Sequence, residues 1–214
     1  MASILVIGAS QGVGRETVKA LLADGHRVRA FARSASKLAI ADERLEKRNG
    51  DALNAGDVSR ALEGVDAVVQ ALGVSFGFDM VVKGTTLFSR ATRILVDGMR
   101  ASGCRRLVAV TGIGAGDSRG RLGFLYDGVM FPLILKRVYD DKDIEEQIIK
   151  ASGLDWTIVR PGILTDGAAS GRYRASADPK DWRAAPIPRA DVGRFIADEI
   201  RDGTFIGRTP VVIA

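Results

Sequence analysis

"SILVIGASQGVGRETVKALLADGHRVRAFARS", Ser3 to Ser34, decides how this chain is read. "SILVIG" (Ser3–Gly8) is a short β-branched run, the mark of a buried strand. From Val13 to Ala23 the apolar residues Val13, Val18, Leu21 and Leu22 fall near helical spacing, and Gly25 supplies a stop. "HRVRAFAR" (His26–Arg33) alternates polar and apolar, as a strand does. Strand, glycine loop, helix, strand is the context that gives "GASQGVG" (Gly8–Gly14) a meaning. The chain must turn tightly there and bring backbone N–H groups, at the positive end of a helix dipole, close to a phosphate. Glycine triplets alone also serve for packing, so the loop in itself says only that something phosphorylated can bind. Gly8, Ser10, Gln11, Gly12, Val13 and Gly14 are the candidate contacts.

The same rhythm continues. "RLEKRNGD" (Arg44–Asp51), "DAVVQALG" (Asp66–Gly73), "RRLVAVTG" (Arg105–Gly112), "DWTIVRPG" (Asp155–Gly162, broken by Pro161) and "TPVVIA" (Thr209–Ala214) read as strands. Helices are predicted over Gly56–Gly64, Gly84–Ser102, Asp141–Ser152 and Ala190–Arg201. This alternation predicts an α/β fold: a doubly wound parallel sheet covered on both faces, three layers in one domain spanning residues 1–214. Two irregular segments, Ile113–Pro132 and Ile163–Pro188, follow strand ends on the carboxyl side. Ligands bind on that side, so residues around 113–138 and 163–188 are the candidate substrate loops.

The residue after the second strand speaks to the cofactor. A dinucleotide site often carries an acid there, about 20 residues past the glycines, for the ribose 2′-hydroxyl. This chain carries Arg33, then Ser34 and Lys37. A guanidinium fork suits a phosphate, and no carboxylate stands by to repel one. NADP(H) is therefore expected over NAD(H). The competing reading is a solvated surface arginine. Asp51, Ala52 and Leu53 follow the third strand and can line an adenine, although Asp51 can equally cap a turn before the next helix. Ala71, Leu72 and Gly73 end the fourth strand with mostly small residues that let a cofactor pass close by.

Bulk properties set the limits. Net charge is +5 and the computed pI is near 9.6. The basic residues are scattered and match no groove-reading helix or stacking sheet, so a phosphate-bearing cofactor is preferred to nucleic acid. Apolar residues make up 46% of the chain, enough for a core, yet no apolar run reaches the length of a membrane span. "MASILVIGAS" reads as a first strand and not as a signal peptide. One cysteine, Cys104, and one histidine, His26, offer neither a disulfide nor a spaced metal-ligand set. A cytoplasmic monomer or weak homodimer acting on a small molecule is the expectation.

Several stretches resemble a known group. "ILVIGASQGVGRETVKALLADGHRVRAFARSASKL", "GDALNAGDVSRALEGVDAVVQALG", "DKDIEEQIIKASGLDWTIVRPGILTDG" and "RADVGRFIADEI" are similar to the atypical short-chain dehydrogenase/reductases. They most resemble the single-domain NAD(P)H-binding proteins related to flavin reductase and biliverdin reductase B. The resemblance implies a Rossmann sheet of seven or eight strands, NADPH binding, and reduction of flavins, quinones or related conjugated molecules. Two departures stand out. Gln11 takes the place of a glycine, which falls at position 12 instead. The Tyr-x-x-x-Lys pair of the classical enzymes is absent: Tyr139 and Lys142 are one residue too close, and Asp143 fills the expected slot. By the resemblance Lys142 would hold the nicotinamide ribose, and Thr111 would hydrogen-bond a carboxamide or substrate carbonyl. Thr111, Lys142 and, with less support, Tyr139 are thus the candidate catalytic residues. The alternatives are structural: Lys142 in an ion pair with Glu145 or Glu146, and Thr111 satisfying backbone at a strand end. Aromatics in the irregular segments (Phe124, Tyr126, Phe131, Tyr173, Trp182) can stack on a flat substrate or pack the loops down. The incomplete catalytic set also admits a second function, a redox sensor like the nitrogen-regulator (NmrA-like) relatives. A sugar-nucleotide epimerase or dehydratase is a third.

Overall fold

The computed structural model describes residues 1–73, 85–118 and 136–214. Ten strands and five α-helices alternate along these residues. In chain order they are β1 (Ser3–Ile7), α1 (Gly12–Ala23), β2 (Arg27–Ala32), β3 (Leu45–Asn49), α2 (Ala55–Leu62) and β4 (Ala67–Gln70). Then come α3 (Leu87–Ser102), β5 (Arg106–Val110), α4 (Lys136–Lys150), β6 (Asp155–Pro161) and β7 (Ile163–Thr165). The chain ends with β8 (Arg174–Ser176), β9 (Pro186–Pro188), α5 (Arg189–Asp202) and β10 (Val211–Ile213).

Eight strands form one sheet in the order β3-β2-β1-β4-β5-β6-β10-β8, while β7 and β9 pair separately. Seven of the eight run parallel, and β8 alone lies antiparallel, against β10. That edge strand departs from the all-parallel expectation. Its three residues arise inside the segment read as irregular, where no period-2 pattern is long enough to announce a strand.

The pleat sorts the core. Ile4 and Val6 of β1 face a cluster built with Val18, Leu21, Val192 and Ile196 from α1 and α5. Leu5 and Ile7 face the opposite cluster, with Val58, Leu62, Leu95, Met99 and Ile149 from α2, α3 and α4. Both faces of the central strands are therefore dry, which explains their unbroken apolar runs.

Two helices begin elsewhere than predicted. α3 starts at Leu87, because the Asp141 carboxylate accepts from the backbone N–H of Phe88 (2.9 Å) and of Ser89 (3.3 Å) and fixes its first turn there. α4 starts at Lys136, so the first candidate loop ends before residue 138 and Tyr139 is already helical. Phe124, Tyr126 and Phe131 lie outside the described residues.

Candidate functional site

The strand order reverses between β1 and β4, and a cleft opens at their carboxyl ends, where open α/β sheets bind ligands. Its volume is about 300 Å³. Three strand ends build it. Gly8 follows β1, held by its N–H to the Phe31 carbonyl at 2.9 Å. Gly50 follows β3, with its N–H on the Ala32 carbonyl at 3.1 Å. Ala71 follows β4 and donates to the Ile7 carbonyl at 2.9 Å.

The glycines divide the work. Gly8 has φ +85°, and a Cβ there would overlap the Ala71 carbonyl, 2.8 Å from its carbon. A Cβ on Gly14 would overlap the Gly8 carbonyl itself, 2.8 Å from its carbon, so this residue lets α1 pack onto the loop. Gln11 is the residue before α1 and caps none of its amides with its side chain, and the first turn holds no acid. The amino end of α1 is thus left open to an anion.

Of the residues singled out in the sequence, Gly8, Ser10, Gln11, Arg33, Ser34, Asp51, Ala52, Leu53, Leu72 and Gly73 line the cleft. Arg33 is exposed at its rim and makes no hydrogen bond or ion pair among the described residues. Asp51 takes the turn-capping part of the two readings. It lines the cleft, and its Oδ1 accepts from the Leu53 N–H at 2.9 Å, while Asn54 is the residue that caps α2. Ile7, Phe31, Ala32, Gly50 and Leu87 line the cleft as well and were missed. Phe31 and Ala32 end the second strand beside Arg33 and were within reach of the argument, whereas Leu87 arrives from α3 with no local signal.

Other candidates stand elsewhere. Val13 is buried in the core formed with α5, and Gly12, Gly14, Lys37 and Ala71 do not line the cleft. Thr111 and Lys142 do not line it either. The Thr111 hydroxyl donates to Glu146 Oε1 at 3.0 Å. Glu146 is gripped in turn by the fully buried Arg160, through Nε at 2.9 Å and NH2 at 2.6 Å. Arg160 NH1 reaches Asp117 at 2.7 Å, and its guanidinium lies 5.4 Å from the Trp182 ring. One buried arginine therefore ties down parts of both irregular segments. Trp182 is buried, with its indole N–H on the Ser176 carbonyl, and Tyr173 bonds Asp198 and packs on Phe195. These two aromatics anchor loops, the second of the two roles open to them.

Lys142 is buried over the Phe88 ring at 4.1 Å, with Glu145 at 3.8 Å. Burial pushes its ammonium below the ordinary lysine range. Glu145 accepts from Gln70 Nε2 at 2.6 Å, and burial raises its carboxyl to about 7. The lysine–glutamate pair offered as the structural alternative is present with Glu145, and it is a desolvated one. Tyr139 sits closer to the sheet end: a Cβ on Gly112 would lie 2.9 Å from its hydroxyl. Cys104 is buried, and burial raises its thiol pKa, as suits a core residue. The His26 imidazole accepts from the Ala2 N–H at the opposite end of β1.

A pH effect follows from Glu145. The folded protein keeps its proton up to about pH 7, while the unfolded chain releases it near 4.5. The folded state binds more protons within that window, so stability falls as pH rises through it. Glu145→Gln is expected to flatten the decline between pH 5 and pH 8 in urea denaturation. An equally steep decline in the variant would assign the linkage to another group.

Among the described residues no helix is long and apolar enough to cross a membrane. The described residues also hold no cluster of three or more histidine, cysteine or acidic residues placed to bind a metal.

Comparison with known proteins agrees with this geometry. A curated relative, the sterol demethylase protein B of Methylococcus capsulatus, is 35% identical over 120 residues, 52% of this chain and 34% of the relative. The chain thus spans about a third of that relative's length. The uncharacterized sugar epimerase YhfK of Bacillus subtilis is 25% identical, over 90% of this chain and 85% of the relative. Among solved structures, ChuY, an anaerobillin reductase from Escherichia coli O157:H7, superposes with a TM-score of 0.81 at 26% identity, covering 99% of this chain and 96% of the other. The family model described as NAD(P)H-binding matches residues 8–203, from the glycine loop after β1 to the end of α5, and the chain belongs to that family.

Proposed function

We propose that the protein is an NADPH-dependent reductase that passes hydride to a flat, conjugated acceptor such as a flavin or quinone. One observation carries the choice of cofactor: Arg33 stands at the rim of the cleft, exposed and without a protein partner among the described residues, with Ser34 beside it. Arg33, Ser34 and the nearby Lys37 take a 2′-phosphate in this reading. Asp51, Ala52 and Leu53 line the adenine, Gly8 to Gly14 hold the pyrophosphate, and Ala71 to Gly73 flank the path toward the nicotinamide. The amino end of α1, with no side-chain cap and no acid in its first turn, fits such a ligand.

The bound nicotinamide supplies the hydride. The residues of this chain orient and exclude water. The Thr111 hydroxyl proton is engaged by Glu146, so Thr111 is not placed to give up a proton. Lys142 is held back by Phe88 and Glu145. Neither is placed as a strong acid, which suits an acceptor whose reduced form solvent can protonate. NADPH oxidation with FMN, riboflavin and simple quinones tests the reading. Turnover above the protein-free rate with one of these acceptors is expected, and background rates with all of them would overturn it.

The engagement of Thr111 and Lys142 by buried partners also favours a second reading, a sensor that binds NADP(H) without turnover. Tight NADP binding together with a nucleotide-dependent protein partner in a pull-down would select it.

A further inference from the structure

The short parallel pair β7·β9 lies outside the main sheet, and its register has a consequence at the glycine loop. Thr165 pairs with Pro188, which brings the next two residues, Asp166 and Arg189, side by side. Arg189 NH1 donates to Asp166 Oδ1 at 2.8 Å. The partners are unequal: the Arg189 side chain is 31% exposed, the Asp166 side chain 95%. A carboxylate so fully hydrated gains little from the pair, and exchanging it for another anion costs little.

Arg189 is the first residue of α5, and α5 packs along α1 so tightly that a Cβ on Gly193 would meet the Glu16 backbone at 2.7 Å. That packing sets the two amino ends together. A Cβ on Gly12 would lie 3.9 Å from Arg189 Nε, so nothing but the missing side chain separates the loop backbone from the guanidinium. The following turn is fixed as well, since the buried Asp191 accepts from the Ser170 N–H (3.0 Å), the Ser170 hydroxyl (2.6 Å) and the Gly171 N–H (3.0 Å). The arginine is therefore stationed by strand register and helix packing, with its fork beside the amino end of α1, which no side chain caps.

We propose that Arg189 is a ligand of the cofactor pyrophosphate, reaching it across Gly12 and exchanging Asp166 for a phosphate oxygen. The proposal rests on the cofactor reading above. A planar fork of donors beside open helix-terminal amides is the combination that binds a phosphate at two points. Arg189 also joins the second irregular segment, through Asp166, to the state of the cofactor cleft.

Three ligands separate the possibilities by competition and calorimetry: NADPH, 2′-phospho-ADP-ribose, which keeps the pyrophosphate, and adenosine 2′-phosphate, which lacks it. Arg189→Gln is expected to weaken NADPH and 2′-phospho-ADP-ribose about tenfold or more, the scale of one charge-assisted hydrogen bond, and to leave adenosine 2′-phosphate unchanged. Arg189→Lys is expected to restore part of the loss, and Asp166→Asn to tighten both pyrophosphate ligands. Unchanged affinities, or equal weakening of all three ligands, would overturn the proposal. So would an unchanged NADPH affinity with a raised KM for the acceptor, which would assign Arg189 to the substrate. Wild-type protein that binds none of the three would overturn the cofactor reading itself.

Discussion

Arg160→Ala is expected to cost about 3–5 kcal/mol of folding stability, the range for stranding one partner of a buried ion pair. The Arg160 side chain has no solvent exposure, and the Glu146 carboxylate it grips is 1% exposed. Removing the guanidinium leaves that carboxylate desolvated, facing the Thr111 hydroxyl and the ammonium of Lys150 at 3.3 Å. The Asp117 contact and the Trp182 packing go with it, so both irregular segments lose their shared anchor. In a chain of this size such a loss lowers the melting temperature by roughly 10 °C. The double variant Arg160→Met/Glu146→Leu strands no charge and is expected to recover most of the loss. A single variant within about 1 kcal/mol of wild type in urea denaturation would contradict this role.

Gly8→Ala is expected to be the more damaging change for the cleft. Its φ of +85° already strains any side chain, by about 1–3 kcal/mol. Overlap with the Ala71 carbonyl adds about as much again and pushes the end of β4 out of place. Gly64 provides the control. It has φ +67°, but a Cβ there meets nothing within 4 Å. Gly64→Ala should therefore show the strain alone and leave NADPH binding unchanged, while Gly8→Ala weakens binding at least about tenfold. Equal behaviour of the two variants would mean that the close approach of β1 and β4 does not shape the cleft.

The contrast between these residues shows what a sequence can carry. Gly8, Gly14 and Arg33 were legible because the constraint on each is local: a strand end, a helix start, a position a fixed distance along the βαβ unit. The central strands were legible because burial on both faces writes an unbroken apolar run. Arg160 and Glu146 read as ordinary charges in a strand and a helix. Their union depends on how α4 lies against β6, and that is a tertiary fact. The same holds for Arg189, whose position comes from the register of β7 on β9 and the packing of α5 on α1. Lys142 was legible as a helix residue near a tyrosine, but its burial against Phe88 could not be read from spacing. The antiparallel β8 is three residues long, too short for its alternation to stand out.

In the proposed function the cleft between β1 and β4 takes a phosphorylated nicotinamide cofactor, and Arg33 reads its 2′-phosphate. Calorimetric titration of wild type and Arg33→Asp with NADPH and with NADH tests it most directly. Wild type is expected to prefer NADPH, and the variant to lose at least about tenfold more affinity for NADPH than for NADH, as the loss of a charge-assisted contact and the gain of a repulsive carboxylate require. Equal losses for the two cofactors, or a wild type indifferent between them, would contradict it.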